Sequence, residues 1–456
     1  MMRSAKKTYE IDMLHGAILP KLLRFAVPLT LSTMLQLLFN AADVVVVGRW
    51  AGDNSLAAVG SNTSLIALLT NMFLGLSIGA NILAARHFGA HEDEELSKTV
   101  HTSILLSLYS GVFLTVVGIL GARTILIWMQ CPANVLDLAT LYLRIYFAGM
   151  TATMLYNFGA ALLRASGDTQ RPLYYLFASG VVNVILNLVF VIYFHMDVAG
   201  VALATVISQC ISAALVIRCL MKETGPLRLD LKKLKIHGMK LKQIMQVGIP
   251  AALQMAVTAF SNVFVQSYIN RFGPDCMSGW TAYTKIDQLM FLPMQSLALS
   301  ATTFVGQNLG AGNAQRAHQG TRRALAISLA VTAVLMVPVL VFAPQLTAFF
   351  NRKAEVVAYG TLLLRYISPF YLLCCINQIY SGALRGAGNS QVPMVIMLGS
   401  FVVFRQIYLY IMSHYISNAL LPLAMGYPAG WLVCSAATLL YYRRAALGRR
   451  RLVEDN

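Results

Sequence analysis

The sequence predicts an all-α polytopic membrane protein, with twelve transmembrane helices in two parallel six-helix repeats around a central cleft. Three observations carry this. Of 456 residues, 57% are hydrophobic and 12% charged, against roughly 25% charged in a soluble domain. Apolar runs of the roughly 20 residues that cross a bilayer fill nearly the whole chain. Strand-like alternation is absent, and helices are the open-ended structures that satisfy their own backbone in lipid. Soluble enzymes, secreted disulfide scaffolds and nucleic-acid-binding domains are excluded. The net charge of +17 then reads as cytoplasmic loops rather than a nucleic-acid partner. The seven cysteines form no CxxC and mostly sit in apolar runs, so they read as packing residues rather than disulfides or a zinc site.

Charged or turn-rich breaks delimit the spans. The first, 22–47, stops before Arg49; the second, 55–85, stops at Arg86; the third, 99–121, lies between Lys98 and Arg123. The fourth, 134–162, ends before Arg164, the fifth, 173–194, follows Pro172, and the sixth, 198–219, ends before Lys222. The seventh, 243–269, runs from Lys242 towards Arg271, followed by the eighth at 279–307 and the ninth, 324–349, between Arg323 and Arg352. The tenth, 356–383, ends before Arg385, and the last two are 392–414 and 417–442, ending at Arg443. No small-residue cleavage site precedes the first span, so no removable signal is expected.

Lys and Arg set the orientation. With the N-terminus inside, the inner segments hold 26 of them, including Arg3, Lys6, Lys7, Arg449, Arg450 and Arg451, and the outer loops 5. Both termini are therefore expected in the cytoplasm, in a multi-pass cytoplasmic-membrane protein. The expected organisation is an N-lobe over 1–221, a basic and flexible cytoplasmic linker over 222–242 containing Gly225-Pro226, and a C-lobe over 243–456 ending in a basic tail. The lobes repeat. Arg164-Ala165-Ser166-Gly167 matches Arg385-Gly386-Ala387-Gly388, Pro172 matches Pro393, Gly89-Ala90 matches Gly310-Ala311 and Arg144 matches Arg365, all at one constant offset. Pro28, Asn40 and Arg49 match Pro250, Asn262 and Arg271 at an offset one position longer. Six helices per half is even, so the repeats enter from one side, as in transporters whose lobes rock about a central cleft. No phosphate-binding GxxxxGK[ST] loop occurs, so ATP is not the direct energy source.

The loop Gly306-Gln307-Asn308-Leu309-Gly310-Ala311-Gly312 is similar to those of the multidrug and toxic compound extrusion (MATE) family. So are Leu163-Arg164-Ala165-Ser166-Gly167-Asp168, its mate Leu384-Arg385-Gly386-Ala387-Gly388-Asn389, and Ala199-Gly200-Val201-Ala202-Leu203-Ala204-Thr205. The resemblance covers both halves in order. It implies a secondary active antiporter of prokaryotic type, exporting organic, often cationic compounds in exchange for H⁺ or Na⁺.

An acid buried in lipid costs roughly 2.5–3.5 kcal/mol on insertion, so intramembrane acids are functional candidates. Of 18 acids, sixteen fall in loops or termini, and Asp43 and Asp287 fall within spans. They are not repeat mates, since at the offset that pairs Pro28 with Pro250 the mate of Asp43 is Val265. Gln36 and Asn40 precede Asp43 by seven and three positions and share its face. Away from water, such a carboxyl could exchange a proton near neutral pH, or ligate Na⁺ with amide and hydroxyl oxygens; the alternative is an ion pair with Arg49. Asn183 and Asn187 lie one turn apart in the fifth span, and Thr205 is in the sixth. The resemblance implies that Asn183 and Thr205 join Asp43 at an ion site, with Asn187 an amide where relatives often carry an acid; without it, these asparagines read as interhelical glue. Asp287 follows Lys285 by two positions, which suggests a neutralising pair. Further cleft or substrate candidates are Tyr156, Asn157, Gln254, Gln266, Tyr283, Met290 and Asn377. Gln254, Gln266 and Asn377 are uncharged where other branches of the family carry C-lobe acids. Arg144 and Arg365 read as snorkelling bases.

No catalytic triad, metal cluster or cofactor loop stands out, so neither an enzyme nor a cofactor is expected beyond H⁺ or Na⁺ as coupling ion. Expected partners are small organic cations or other amphiphiles and membrane lipids, with no nucleic acid, for a chain acting as a monomer. A flippase of a lipid-linked precursor is the alternative, but the intramembrane bases Arg144, Lys285, Arg365 and Arg405 are sparse for gripping phosphate. A passive channel would conduct without coupling.

Overall fold

The computed structural model describes residues 9–445; Arg3, Lys6, Lys7, Arg449, Arg450 and Arg451 lie outside the described residues. The described residues contain helices, turns and no strand. The membrane rods of the first half are α1 (Ile18–Trp50), α2 (Asp53–Ala90), α3 (Asp93–Trp128), α4 (the bent pair Ala133–Ala148 and Met150–Ala165), α5 (Gln170–Tyr193) and α6 (Asp197–Lys222). Those of the second are α7 (Gly238–Ile269), α8 (Pro274–Gly310), α9 (Ala314–Val341), α10 (Ala354–Gly386), α11 (Gln391–Ile416) and α12 (Leu420–Arg444). Among the described residues nine helices are long and apolar enough to cross a membrane, and the bent α4 makes ten. The 38-residue α2 and 32-residue α7 complete six rods per half.

The duplication is written into the helix starts. Asp53, Asp93, Ala133, Met150 and Gln170 open helical segments whose counterparts open at Pro274, Ala314, Ala354, Tyr371 and Gln391, all five at the offset that pairs Arg164 with Arg385. Two compact units result. Among the described residues one comprises 9–12 with Pro28–Ile249; the other comprises Met13–Val27 with 250–445. The boundaries fall on the prolines inside α1 and α7, where a missing N–H and a ring clash loosen a helix. Within the second unit, Asn308 Nδ2 donates to the Met13 carbonyl at 3.2 Å and Ser300 Oγ to that of Leu22 at 3.3 Å. Within the first, a Cβ on Gly79 would lie 2.5 Å from the Ile244 carbonyl oxygen, so glycine is what lets the start of α7 dock there.

Three expectations change. The linker is anchored: Leu227 and Leu229 are each 2% exposed and join a core with Leu96, Val100 and Leu220. His237 N–H donates to Thr102 Oγ1 at 3.1 Å, and buried Lys240 pairs with Glu95 at 2.5 Å. Leu227 and Leu229 bury their side chains in an otherwise polar stretch, while Lys232, Lys233 and Lys235 stay exposed. The ninth span does not run through 349: α9 ends at Val341 and a separate helix, Ala343–Phe350, opens with Pro344. Proline suits a first turn and not a helix interior. Asp137, expected among the loop acids, lies instead in the helix Ala133–Ala148 that opens α4, where its side chain is 81% exposed and pairs with Arg123 at 2.9 Å. All seven cysteines are unpaired, five of them buried, as packing residues should be.

Candidate ion-coupling site

Asp43 is 8% exposed, while the following Val44 and Val45 are exposed and Val46 and Val47 enter a core with Leu143, Phe147 and Val201. The carboxylate thus turns inward among α5 and α6 rather than outward. Close approach of α1 and α5 makes this possible: Gly180 faces Phe39, and a Cβ there would sit 1.8 Å from the ring. One turn further along each helix come Asp43 and, past Asn183, Asn187.

The network closes around these residues. Asn187 Nδ2 donates to Asp43 Oδ1. The same amide donates to Asn183 Oδ1 at 3.3 Å, and Asn183 Nδ2 donates to Thr205 Oγ1 at 3.3 Å. Thr205 Oγ1 lies 3.5 Å from Asp43 Oδ2 and 3.0 Å from the Val201 carbonyl; its single hydrogen serves one of them at a time. Asn187 is fully buried, and its Oδ1 has no donor. An orphaned amide oxygen beside a carboxylate, a second amide oxygen and a hydroxyl is a hard-oxygen set of the kind Na⁺ accepts, and equally a place for a proton. Among the described residues no group of three or more His, Cys, Asp or Glu is placed to hold a metal ion.

The sequence-derived set divides. Asp43, Asn183, Asn187 and Thr205 come together; Gln36 and Asn40 are exposed on α1 and make no described contact with them. Arg49 forms no ion pair with Asp43 among the described residues, because positions six apart along a helix face different sides. Tyr142 and Tyr146 were not foreseen; they stack with centroids 6.1 Å apart, within electrostatic reach of Asp43. Their one-turn spacing on the fourth span was the available signal.

The remaining candidates scatter. Tyr156 donates to the Pro172 carbonyl at 3.1 Å, and Asn157 to Thr153 on its own helix at 2.9 Å. In the second unit Gln254 Oε1 accepts from Arg385 at 2.9 Å, Gln266 donates to Asn270 at 2.7 Å, and Asn377 accepts from Ser381 at 3.1 Å. Met290 is buried in an aromatic core with Trp280, Tyr371 and Trp431. Asp287 does not pair with Lys285, which is exposed; it accepts from Tyr283 at 3.2 Å instead. Positions two apart on a helix point to opposite sides.

Duplicated six-helix halves, with a buried polar network inside the first, define a multi-pass membrane protein of the transporter class. The chain belongs to the MatE family: the family profile matches residues 28–189 and again 250–411, the same span of each half. It is 29% identical over 426 residues to the probable multidrug resistance protein YoeA of Bacillus subtilis, covering 92% of both chains. It is 25% identical over 445 residues to the probable multidrug resistance protein NorM of Thermotoga maritima, covering 95% of both. Among solved structures, an outward-facing multidrug resistance MATE transporter of the MOP superfamily superposes with a TM-score of 0.90 at 24% identity, covering 96% of this chain and 98% of that one. The chain is thus a multi-pass transporter of a multidrug efflux family, not a member of an enzyme family.

Proposed function

We propose that this chain is a secondary active antiporter that exports organic, often cationic compounds in exchange for H⁺ or Na⁺ by alternating access, with Asp43 as the main coupling-ion site. It needs no cofactor besides that ion. Both termini face the cytoplasm across the cytoplasmic membrane, the chain acts as a monomer, and residues 1–221 and 243–456 act as N-lobe and C-lobe about the basic linker 222–242. Small organic cations or other amphiphiles are its partners, with membrane lipids around it. The multidrug names of the relatives favour this over the lipid flippase.

The single observation that supports coupling at Asp43 is the closed network ending in the donorless Asn187 Oδ1. With Asp43 ionised, the Asn187 amide and Thr205 hydroxyl direct hydrogens at it and hold α1, α5 and α6 together. A proton on Asp43 makes it a donor, for which Asn187 Oδ1 is the waiting acceptor; Na⁺ would instead draw the same oxygens inward. Either event changes which helix contacts are satisfied. The ion biases the transporter only by its differential affinity for the two states.

The test is efflux of a fluorescent organic cation from proteoliposomes under separately imposed proton and sodium gradients. Parent protein should respond to one gradient, and Asp43→Asn should lose that response by about a hundredfold, the scale of one charged hydrogen-bonded group. Transport indifferent to both gradients, or unchanged in Asp43→Asn, would sink the proposal.

A further inference from the structure

Among the described residues Arg405 is the largest fully buried side chain, 1% exposed in the middle of α11. Among the described residues no carboxylate lies within salt-bridge distance of it, and its hydrogen bonds are long ones from Nη1: 3.3 Å to Ser261 Oγ and 3.4 Å to Asn262 Oδ1. Nε is buried without an acceptor, and Nη2 donates to no described residue. The guanidinium rests on two rings, Phe401 at 4.7 Å and Tyr427 at 4.4 Å. Gly430 completes the fit, since a Cβ there would lie 3.1 Å from Nε. Asp287, the acid within electrostatic reach, is engaged by Tyr283 instead.

The repeat explains the address. Val181-Val182 match Val402-Val403 at the offset of the helix starts, but Ile185 matches Ile407 one position beyond it. The ends of α6 and α12, Lys222 and Arg444, pair at that longer offset too. One residue has been gained at Phe404, and there α11 is a π-helix over Leu398–Phe404, the wide turn that absorbs an extra residue and recurs at functional sites. Ser261 Oγ caps the loosened turn by donating to the Phe401 carbonyl at 2.6 Å. In the corrected register Arg405 is the mate of Asn183, Tyr427 of Thr205, and Asn262 of Asn40. The second unit therefore builds a polar network around the counterparts of Asn183 and Thr205, two members of the first unit's candidate ion site. Tyr427 Oη donates to Asn262 Oδ1 at 3.0 Å. The sign is reversed: Val265 stands where Asp43 would be, and Arg405 where Asn183 would be.

We propose that this network is an anion subsite, in which Arg405, with Asn262 and Tyr427 beside it, binds the carboxylate of an amphiphilic, aromatic substrate. A planar fork with unengaged N–H groups matches a carboxylate in bidentate fashion, and a single guanidinium balances one negative charge. Asn262 and its hydrogen bond to Tyr427 are exposed, so the approach is over that edge. The subsite deepens the efflux reading, on which it rests for its purpose, by adding zwitterions and carboxylates to the substrates.

The test is equilibrium binding by fluorescence anisotropy to the detergent-solubilised full chain, with no gradient, so failure of ion coupling and failure of the subsite are distinguishable. The probes are rhodamine B, which carries a free carboxylate, and its ethyl ester, which does not. Arg405→Gln should weaken rhodamine B by about tenfold or more, a loss on the scale of one charge-assisted contact, and leave the ester within about twofold. Asn262→Asp, at an exposed position, places an internal carboxylate beside the guanidinium and should produce the same selective loss. The second variant keeps the test decisive if the first does not fold. Equal losses for both probes, or unchanged rhodamine B binding in Asn262→Asp, would overturn the proposal.

Discussion

At the scale of single residues, the first-half network turns on one amide. Asn187 donates to both Asp43 and Asn183 while its own oxygen has no donor. Asn187→Asp keeps the shape, removes both donated bonds and sets a second carboxylate against the first. Two like charges so close resist ionising together unless a cation lies between them. The variant should therefore respond to sodium more strongly than the parent, reaching half-maximal efflux at about tenfold lower Na⁺, one decade being about 1.4 kcal/mol of added ion affinity. A sodium titration of proteoliposome efflux at fixed pH measures this; an unchanged sodium response would remove Asn187 from the ion path. Spacing put Asn183 and Asn187 on one face, but only the family resemblance linked them and Thr205 to Asp43. The partners of Asp287 were not legible, because adjacency in sequence suggested Lys285 while helical geometry turns the acid to Tyr283.

Between residues and fold stand the helix contacts that bring Asp43 to its partners, above all Gly180 against Phe39. A Cβ 1.8 Å from the Phe39 ring cannot be accommodated without moving α5 from α1. Gly180→Ala should destabilise by about 1–3 kcal/mol, the usual range for overpacking, and separate Asn187 from Asp43 enough to blunt gradient-driven efflux. Adding Phe39→Ala should recover part of both losses, since contacting residues are energetically coupled. Thermal midpoints and efflux of the two single variants and the double variant form the check, and strictly additive losses would refute the contact. Hydropathy located the rods because lipid imposes one signal on each. It missed where helices continue into water: α9 starts at Ala314, carrying Arg316, Arg322 and Arg323 in a helix capped by Asn313. Breaks at Gly149 and Pro344 and the π turns of α11 depend on packing and register, which average hydrophobicity does not record.

For the whole molecule, duplication accounts for the scaffold and not for its charges. Five helix starts repeat at one constant offset, yet Asp43 faces Asn187 in one half and Arg405 stands among Asn262 and Tyr427 in the other. A gene copy supplies two equivalent frames, and a few substitutions with one inserted residue then give the frames different signs. Each frame holds six membrane rods, an even number. The charge bias of 26 inner to 5 outer Lys and Arg predicts which side the loops occupy. It assigns Cys131, partly exposed between α3 and α4, to an outer loop, and Lys232 to the inner linker. With the other six cysteines replaced, a membrane-impermeant maleimide added to intact cells should label Cys131. A variant with Cys131→Ser and Lys232→Cys should label only after the membrane is permeabilised. Lys232→Cys stays on the wet side of the linker, so Leu227 and Leu229 keep it docked. Reversed labelling would place both termini outside, and with them would invert the direction in which binding at Asp43 drives export.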